Sequence, residues 1–321
     1  MSALKFIDLF AGIGGMRLAF KKHGMECVFS SEWDKHAQAT YAANFGDVPH
    51  GDITKICTSQ IPDHNILVGG FPCQPFSSIG KRQGFEHETQ GNLFFEIIKI
   101  LNHKQPDAFL LENMPGIRTI GGGKVFEYIL DALDEIGYYT TTLDLDAKDF
   151  GVPQKRARVY FVGIAKRHNK IFNYKKPPCT SVGISEFIET NAKGYAMSDH
   201  IISKYLFKKD DGKPEIVDKT TDTPVKTLVS TYHKIQRLTG TFVQDGDNLR
   251  LLSENECKAI MGFPKAHIFP VSRTQMYRQL GNSVVVPVVS SIAEQLKKTL
   301  LSNERHFNKE VLGWTQISLL S

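Results

Sequence analysis

The sequence predicts an α/β protein with a doubly wound, mostly parallel sheet and a smaller region rich in short strands. In the first half, short apolar runs alternate with amphipathic stretches, which is the pattern of repeated β–α units. After about residue 170 this alternation stops, and up to about residue 250 the apolar runs are short, rich in Thr and separated by Gly, Asp and Asn. A length of 321 residues suffices for one large domain and a smaller one.

The predicted elements follow one another in β–α order. Strands are predicted over residues 4–10, 26–30, 65–70, 108–112, 138–145 and 158–164, the last two as an antiparallel pair at the sheet edge. Helices are predicted over residues 16–23, 92–102, 125–136, 254–261 and 287–301, and several of them end at a glycine.

The composition is that of a folded protein with a modest positive charge. Hydrophobic residues make up 41% and charged residues 23%, which excludes the composition of disordered chains. The net charge of +5 permits a polyanionic partner without requiring one. Because the chain has neither a basic segment followed by a long apolar run nor a run of about 18 apolar residues, we expect a cytoplasmic protein without a membrane span.

The cysteines indicate free thiols. There are five, an odd number, and they form neither a Cys-x-x-Cys pair nor a Cys/His cluster with zinc-ligand spacing. We therefore expect a reducing compartment and no metal site.

A glycine-rich segment, residues 10–15, joins the first predicted strand to the first predicted helix. Glycines in such a turn let the backbone approach a ligand closely, and the helix N-terminus offers N–H donors. Glu32 lies near the end of the second predicted strand, where an acidic residue commonly meets a ribose hydroxyl. A dinucleotide such as NAD and a nucleoside such as S-adenosylmethionine both fit this pattern, and so does a tight turn that only packs the helix on the strand.

Two further strand ends carry groups suited to covalent catalysis. Cys73 follows the third predicted strand and stands between Pro72 and Pro75, which favour a loop over a buried element. Glu112 ends the next strand and should lie at the same edge of the sheet. A nucleophilic thiolate and a carboxyl of raised pKa are the groups needed to attack a ring and to protonate its nitrogen. The alternatives are a small buried thiol and a solvated carboxylate.

Basic side chains open the last strand of the first half. Arg156 and Arg158 share one face at a spacing of two, and Lys155 points to the other face. Two guanidiniums on one face suit a planar acceptor or a phosphate, although a basic strand end can also be a solvated edge.

Six segments, in this order, resemble the motifs of the bacterial cytosine-carbon-5 DNA methyltransferases and span most of the chain. They are FIDLFAGIGG (6–15), GFPCQ (70–74), ENM (112–114), QKRAR (154–158), RLLSENEC to GFP (250–264) and QLGNSVV (279–285). Met114 stands where Val is usual, which leaves the neighbouring carboxylate in place. In length and spacing the chain is similar to the small methyltransferases of type II restriction-modification systems.

This resemblance implies the S-adenosylmethionine-dependent methyltransferase fold with two domains. Residues 1–170, completed by 275–321, would form the catalytic and cofactor-binding domain, and residues 171–274 a smaller, β-rich target-recognition domain. The implied activity is that of a sequence-specific DNA (cytosine-5)-methyltransferase, which flips its target cytosine out of the duplex and protects host DNA from a cognate restriction enzyme.

The resemblance also implies catalytic roles. Cys73 would add to carbon 6 of cytosine, which makes carbon 5 nucleophilic enough to take the methyl group. Glu112 would hold ring nitrogen 3 and the amino group, and Arg158 would bind the exocyclic oxygen. Arg156 would support that contact or the adjoining phosphate.

The resemblance implies two larger sets of binding residues, some of them outside the six motifs. The S-adenosylmethionine pocket would be formed by Phe10, Gly12, Ile13, Gly15, Glu32, Trp33, Asp52, Ile53, Pro72, Leu93, Asn282 and Ser283. The DNA contacts would be made by Gln74, Ser77, Lys81, Arg82, Gln154, Thr227, Gln236 and Arg237. The expected protein is thus a monomer that binds double-stranded DNA without a metal ion, and a cognate restriction endonuclease would be its genetic partner.

Three other interpretations remain open from the sequence. An RNA cytosine-5 methyltransferase acting on tRNA shares the fold and the thiol chemistry, although such enzymes have a shorter middle segment. A catalytically silent DNA-binding protein would be expected to lose Cys73, Glu112 or Arg158, and all three are present. An NAD-dependent oxidoreductase would explain the glycine-rich segment alone.

Overall fold

The computed structural model describes residues 3–71 and 93–302, and its central feature is a six-stranded sheet. The strands are β1 (Lys5–Leu9), β2 (Glu26–Ser31), β3 (Ile66–Gly70), β4 (Ala108–Asn113), β5 (Tyr138–Asp146) and β6 (Ala157–Ala165). They lie in the order β2-β1-β3-β4-β6-β5. The first four pair in parallel, whereas β6 runs antiparallel to both β4 and β5. The predicted parallel sheet and its antiparallel edge pair are therefore confirmed.

Five of the eight α-helices in the described residues follow the predicted positions to within two residues at each boundary. The eight are α1 (Gly15–Lys21), α2 (Lys35–Phe45), α3 (Leu93–Lys104), α4 (Lys124–Glu135), α5 (Asp199–Ile201), α6 (Glu254–Met261), α7 (Arg273–Asn282) and α8 (Val286–Leu301). The bounds of α6 match the prediction, and Gly262, at φ 71°, ends this helix as its C-cap. The predicted first residue of α3, at position 92, lies outside the described residues.

Side chains of the central strands alternate between two buried clusters, one on each face of the sheet. Phe6 of β1 and Val68 of β3 belong to the first cluster, whereas Ile7 and Leu67 belong to the second. Helices α1 and α8 contribute side chains to the first cluster, and α3 and α4 contribute to the second. Helices on both faces of a mostly parallel sheet confirm the predicted α/β fold.

Helices α2 and α7 are absent from the sequence-based prediction. The buried side of α2 consists of Ala37, Thr40 and Tyr41, which gives only a weak apolar stripe. Its sequence signals lie at the ends, where the Asp34 carboxylate accepts two backbone N–H groups of the first turn and Gly46 adopts φ 82°. Helix α7 likewise begins after a serine N-cap. In both cases capping residues mark the helix better than periodicity does.

Most of residues 171–274 form irregular segments around a small second sheet. Its strands β7 (Glu215–Val217), β8 (Thr241–Asp245) and β9 (Asn248–Arg250) lie in that order, with β7 parallel and β9 antiparallel to β8. Phe242 and Val243 of β8 belong to the same buried cluster as the first face of the central sheet. The predicted short strands are present, and the division at residues 171–274 stays a prediction.

A buried ion pair stabilises the end of this second sheet. The Arg250 side chain is 2% exposed and that of Glu256 is fully buried. The two Nη atoms of Arg250 donate to the two carboxylate oxygens of Glu256 over 2.9 and 2.8 Å, and its Nε donates to Asp245 over 2.8 Å. Backbone N–H groups of Ser253 and Glu189 donate to the same Glu256 carboxylate. The pair therefore fixes β9 against the start of α6.

We expect Arg250→Met to lower the free energy of unfolding by about 3–5 kcal/mol, because it leaves the Glu256 carboxylate buried without its cation. Urea denaturation measures this change. Arg250→Met combined with Glu256→Gln should recover part of the loss. Lys298→Met breaks an exposed pair with Glu294 and should cost less than about 1 kcal/mol. Equal losses for Arg250→Met and Lys298→Met would show that the buried pair is not a stabilising contact.

Candidate active site

The carboxyl ends of β1, β2, β3 and β4 lie at one edge of the sheet, because these strands are parallel. Strand β6 begins at the same edge because it is antiparallel to β4. The glycine-rich segment after β1, Glu32 after β2, Phe71 after β3 and the basic start of β6 therefore share this edge. Ligands of open α/β sheets bind at such an edge.

Glu112 and Arg158 form an ion pair between β4 and β6. Nε of Arg158 lies 2.9 Å from Oε1 of Glu112, and the two side chains are 14% and 13% exposed. Burial raises the pKa of Glu112 above its ordinary value, although the guanidiniums of Arg158 and Arg156 act in the opposite direction. The carboxyl is thus fixed in orientation and keeps its proton to a higher pH than a solvated glutamate does, as a proton donor requires.

Neighbouring residues leave room for this carboxyl and fix the chain beside it. A Cβ atom at Gly70, the register partner of Glu112, would lie 3.3 Å from Oε2 of Glu112. Asn113 is buried, and its Nδ2 donates to the carbonyl oxygen of Phe71 over 3.0 Å, while its Oδ1 accepts from the backbone N–H of Met114 over 2.8 Å. Strand β4 therefore positions the point at which the chain enters residues 72–92.

Six of the predicted site residues fall in residues 72–92, which lie outside the described residues. These are the predicted nucleophile and five predicted cofactor or DNA contacts: Cys73, Pro72, Gln74, Ser77, Lys81 and Arg82.

Arg156 has contacts that differ from its predicted role. Its side chain is buried, and the guanidinium donates to the backbone carbonyls of Leu228, Gly281 and Ser283 over 2.9, 2.9 and 2.7 Å. Burial lowers the pKa of Arg156 to about 10, and the nearby Arg158 adds to this effect. These are the contacts of a positioning residue, and they correct the expectation that Arg156 binds the adjoining phosphate. Its support of the contact between Arg158 and the exocyclic oxygen stays a prediction.

The glycine-rich segment and Glu32 form one hydrogen-bonded unit. The backbone N–H groups of Gly12 and Asp34 each donate over 2.8 Å to a different carboxylate oxygen of Glu32. Burial raises the pKa of Glu32, while these two donors lower it. A carboxylate has about four acceptor positions, so Glu32 can still receive a ribose hydroxyl.

The surroundings of this unit suit a nucleoside cofactor. A Cβ atom at Gly12, which adopts φ +55°, would meet nothing nearer than the carbonyl oxygen of Phe10 at 4.0 Å, so the backbone is open on that side. Phe10 itself adopts φ 56°. Trp33, next to Glu32, is 79% exposed and presents an accessible aromatic surface. A carboxylate acceptor, an open glycine backbone and an exposed aromatic ring match the polar and planar parts of a nucleoside.

The other predicted cofactor residues lie in more varied positions. Asp52 accepts from the backbone N–H and hydroxyl of Thr54 over 3.1 and 2.8 Å, and Ile53 is buried beside it. Ile13 is 1% exposed and belongs to the first buried cluster, so its predicted cofactor contact stays a prediction. Leu93, the first described residue of α3, packs against the second cluster.

The C-terminal part of the predicted pocket contacts the glycine-rich segment. A Cβ atom at Gly15 would lie 2.9 Å from Oγ of Ser283 and 2.8 Å from Cγ2 of Val284. Asn282 is exposed at the last residue of α7. The structure therefore brings Ser283, one of the two residues predicted to close the pocket, and its neighbour Val284 against Gly15.

Two predicted DNA contacts are corrected by the structure. Gln154 is fully buried, with Nε2 donating to the carbonyl of Ile260 over 2.7 Å and Oε1 accepting from the N–H of Leu228 over 2.8 Å. Arg237 is 5% exposed and forms an ion pair with Asp211. The same guanidinium donates to three backbone carbonyls, those of Leu206, Lys209 and Lys213. Amide and guanidinium side chains donate hydrogen bonds to buried backbone carbonyls as readily as to the edges of bases. The sequence pattern alone therefore does not predict which of the two partners such a side chain has.

Thr227 and Gln236 are more accessible. Thr227 is partly buried, and its hydroxyl donates to the carbonyl of Lys155 over 2.6 Å. Gln236 is partly buried, and its Oε1 accepts from the hydroxyls of Thr231 and Thr239 over 2.9 and 3.1 Å. The Gln236 amide nitrogen, a donor, is the end of this side chain suited to a base edge.

A model of the C-5 cytosine-specific DNA methylase family matches residues 4–298 of the chain. The chain belongs to this family. It is 57% identical over 300 residues to the type II methyltransferase M.MspI of Moraxella sp., covering 93% of this chain and 72% of that one. It is 52% identical over 313 residues to the type II methyltransferase M.BsuFI of Bacillus subtilis, covering 96% and 76%.

Solved structures share the fold of this methylase. The S. pombe Dnmt2 methyltransferase superposes with a TM-score of 0.76 at 22% identity, covering 93% of this chain and 100% of that one. At this identity the likeness concerns the fold alone. The family model and the type II relatives favour DNA as the substrate, so the RNA-directed alternative is less supported.

Residues 3–71 and 93–302 of this methylase contain neither a candidate membrane-spanning helix nor a candidate metal-binding group. No helix there is long and apolar enough to cross a membrane. Nor do these residues contain a group of three or more His, Cys, Asp and Glu side chains arranged for a metal ion.

The sequence reasoning assigned no role to Asn113, although it lies within the motif that identified Glu112. Its contact with Phe71 is the described link between β4 and the segment that carries Cys73. The sequence feature that could have indicated a role for Asn113 is its position directly after Glu112 at a strand end.

We expect Arg158→Gln to raise the pKa of Glu112 further, because the Arg158 guanidinium lowers that pKa by stabilising the ionised carboxylate. A carbon-13 NMR titration of glutamate-labelled protein measures the change, with Glu112→Gln identifying the signal. Arg118→Gln is the matched control, because Arg118 pairs with Asp144. A Glu112 pKa that stays constant or falls in Arg158→Gln would contradict the assigned electrostatics.

Proposed function

We propose that this methylase is a sequence-specific DNA (cytosine-5)-methyltransferase of a type II restriction-modification system, using S-adenosylmethionine as methyl donor. The observation that carries the proposal is the Glu112–Arg158 pair, which lies at the carboxyl edge of the sheet beside the entry to residues 72–92. Its 57% identity to the type II methyltransferase M.MspI supports the assignment to such a system.

The chemistry requires activation of the ring, because carbon 5 of cytosine is a weak nucleophile. In our proposal the Cys73 thiolate forms a bond to carbon 6, and the displaced electron pair moves towards ring nitrogen 3. Glu112 donates a proton to that nitrogen, for which its raised pKa suits it. Carbon 5 then carries the electron density needed for methyl transfer.

The ion pair determines which Glu112 oxygen does this work. Arg158 contacts Oε1, so we assign Oε2, beside the side-chain-free Gly70, to ring nitrogen 3. The remaining guanidinium donors of Arg158 would bind the exocyclic oxygen of the base. In the transfer, carbon 5 bonds to the methyl group as the methyl–sulfur bond of the cofactor breaks. The proton on carbon 5 then leaves to water and the bond from Cys73 to carbon 6 breaks, while the proton on nitrogen 3 returns to Glu112, which restores both the thiolate and the acid.

The cofactor pocket is proposed at the glycine-rich segment. When bound, S-adenosylmethionine would supply an electrophilic methyl group on its sulfonium sulfur. Glu32 would accept the ribose hydroxyls, Phe10 and Trp33 would contact the adenine, and Gly12 would leave its backbone open to the methionine part. Asn282 and Ser283 would close the pocket from the C-terminal side.

The substrate is proposed to be double-stranded DNA with the target cytosine flipped out. Flipping costs a few kcal/mol in lost stacking and pairing, which contacts to the backbone and to neighbouring bases must offset. Gln74, Ser77, Lys81 and Arg82 are assigned to such contacts from the resemblance, and Thr227 and Gln236 because they are only partly buried. The net charge of +5 favours a polyanion.

We expect Cys73→Ser to reduce methyl transfer by about a thousandfold or more, because a serine hydroxyl is far less nucleophilic than a thiolate. Transfer of labelled methyl groups to unmethylated genomic DNA measures the rate. Cys179→Ser is the matched control, since Cys179 is an exposed free thiol elsewhere in the chain. Full activity in Cys73→Ser would overturn the covalent mechanism, and S-adenosylmethionine binding by the same variant would confirm that it is folded.

A further inference from the structure

Arg156 joins two segments that the proposed function assigns to different ligands. One is the turn 281–283, on the cofactor side, and the other is the segment 228–230, which follows Thr227 in the predicted recognition region. The guanidinium donates to the carbonyls of Gly281 and Ser283 in the first and of Leu228 in the second. We call this arrangement the Arg156 joint.

The two segments also touch directly, backbone against backbone. A Cβ atom at Gly281 would lie 2.3 Å from the backbone nitrogen of Ser230 and 2.4 Å from the carbonyl carbon of Val229. Because these atoms belong to the backbone, a change of rotamer cannot make room for a side chain. Glycine at position 281 is therefore a condition of this contact.

The same turn reaches the cofactor loop at its other end. Ser283 and Val284 lie so close to Gly15 that a Cβ atom there would clash with both side chains. Gly12 of that loop is in turn hydrogen-bonded to Glu32. An unbroken series of contacts thus runs from the proposed ribose contact to segment 228–230.

The energetics of Arg156 make these positions interdependent. A buried guanidinium is costly unless its donors are satisfied, and here the described acceptors are three carbonyls and no carboxylate. Displacing the turn 281–283 would remove two of them, and displacing segment 228–230 would remove the third. A ligand that holds either segment in its place therefore also favours the position in which the other segment contacts Arg156.

We propose that the Arg156 joint couples cofactor binding to DNA binding, with Arg156 and Gly281 as positioning residues. This inference rests on the proposed function, because it takes the turn 281–283 as a cofactor contact and segment 228–230 as part of the DNA-recognition region. Cofactor held by the turn 281–283 fixes segment 228–230 for DNA, and by linkage DNA tightens cofactor binding by the same factor.

The test is a thermodynamic cycle with S-adenosylhomocysteine, which cannot transfer a methyl group. The dissociation constant of a duplex that the unmodified enzyme methylates is measured with and without S-adenosylhomocysteine. The dissociation constant of S-adenosylhomocysteine is then measured with and without the duplex, which closes the cycle. We expect a coupling factor of roughly 5- to 150-fold in the unmodified enzyme. In Arg156→Lys and Gly281→Ala the factor should approach one, because lysine cannot span three carbonyls and alanine separates the two segments.

A variant that is merely destabilised provides the control. Leu133 is fully buried on α4 in the second cluster, on the other face of the sheet from the joint. Leu133→Ala should lower stability and leave the coupling factor unchanged. If Leu133→Ala lost as much coupling as Arg156→Lys, the loss would reflect lower stability in general and not the Arg156 joint. That result would overturn the proposal.

Hydrogen exchange of the unmodified enzyme tests the joint even if both variants fail to fold. S-adenosylhomocysteine should slow amide exchange in residues 228–230, and unchanged exchange there would overturn the proposal. A wild-type coupling factor in Arg156→Lys or Gly281→Ala would do the same. If the unmodified enzyme binds S-adenosylhomocysteine and methylates no DNA, the proposed function fails; if it methylates DNA without coupling, only the joint fails.

Discussion

The antiparallel pairing of β6 with β4 is the constraint on which the site depends. Four parallel strands deliver their carboxyl ends to one edge, and a fifth parallel strand would begin at the opposite edge. Because β6 runs the other way, its start lies beside the end of β4, and Arg158 comes within 2.9 Å of Glu112. The acid and the cation that orients it are thus a consequence of strand direction.

The stretch that leads into β6 also holds the remainder of the site together. Gln154, Arg156 and Arg158 alternate along an extended chain, and Gln154 and Arg156 both contact Leu228, whereas Arg158 contacts Glu112. Gln154 holds the N–H of Leu228 and the carbonyl of Ile260, Arg156 holds three carbonyls, and Arg158 holds Glu112. One short segment therefore relates the acid, the C-terminal turn and the recognition region to one another.

The sequence predicted the features that depend on local pattern and on motifs. Strand ends, the glycine-rich segment and the antiparallel edge pair could be predicted because apolar periodicity and turn residues are local signals. The roles of Gln154 and Arg237 could not be predicted from the sequence. Their side chains donate to backbone carbonyls of residues that are distant in sequence, such as Ile260 for Gln154 and Leu206 for Arg237. Helix α2 escaped prediction because its stability comes from packing and capping more than from a continuous apolar stripe.

The central claim is that this methylase modifies cytosine at carbon 5 within a defined DNA sequence. The most direct test is to express the chain in a bacterial host without cytosine methylation and to map 5-methylcytosine across the genome at single-base resolution. We predict methylation of one cytosine within one short motif. Folded protein that binds S-adenosylmethionine and leaves the genome unmethylated would contradict the claim.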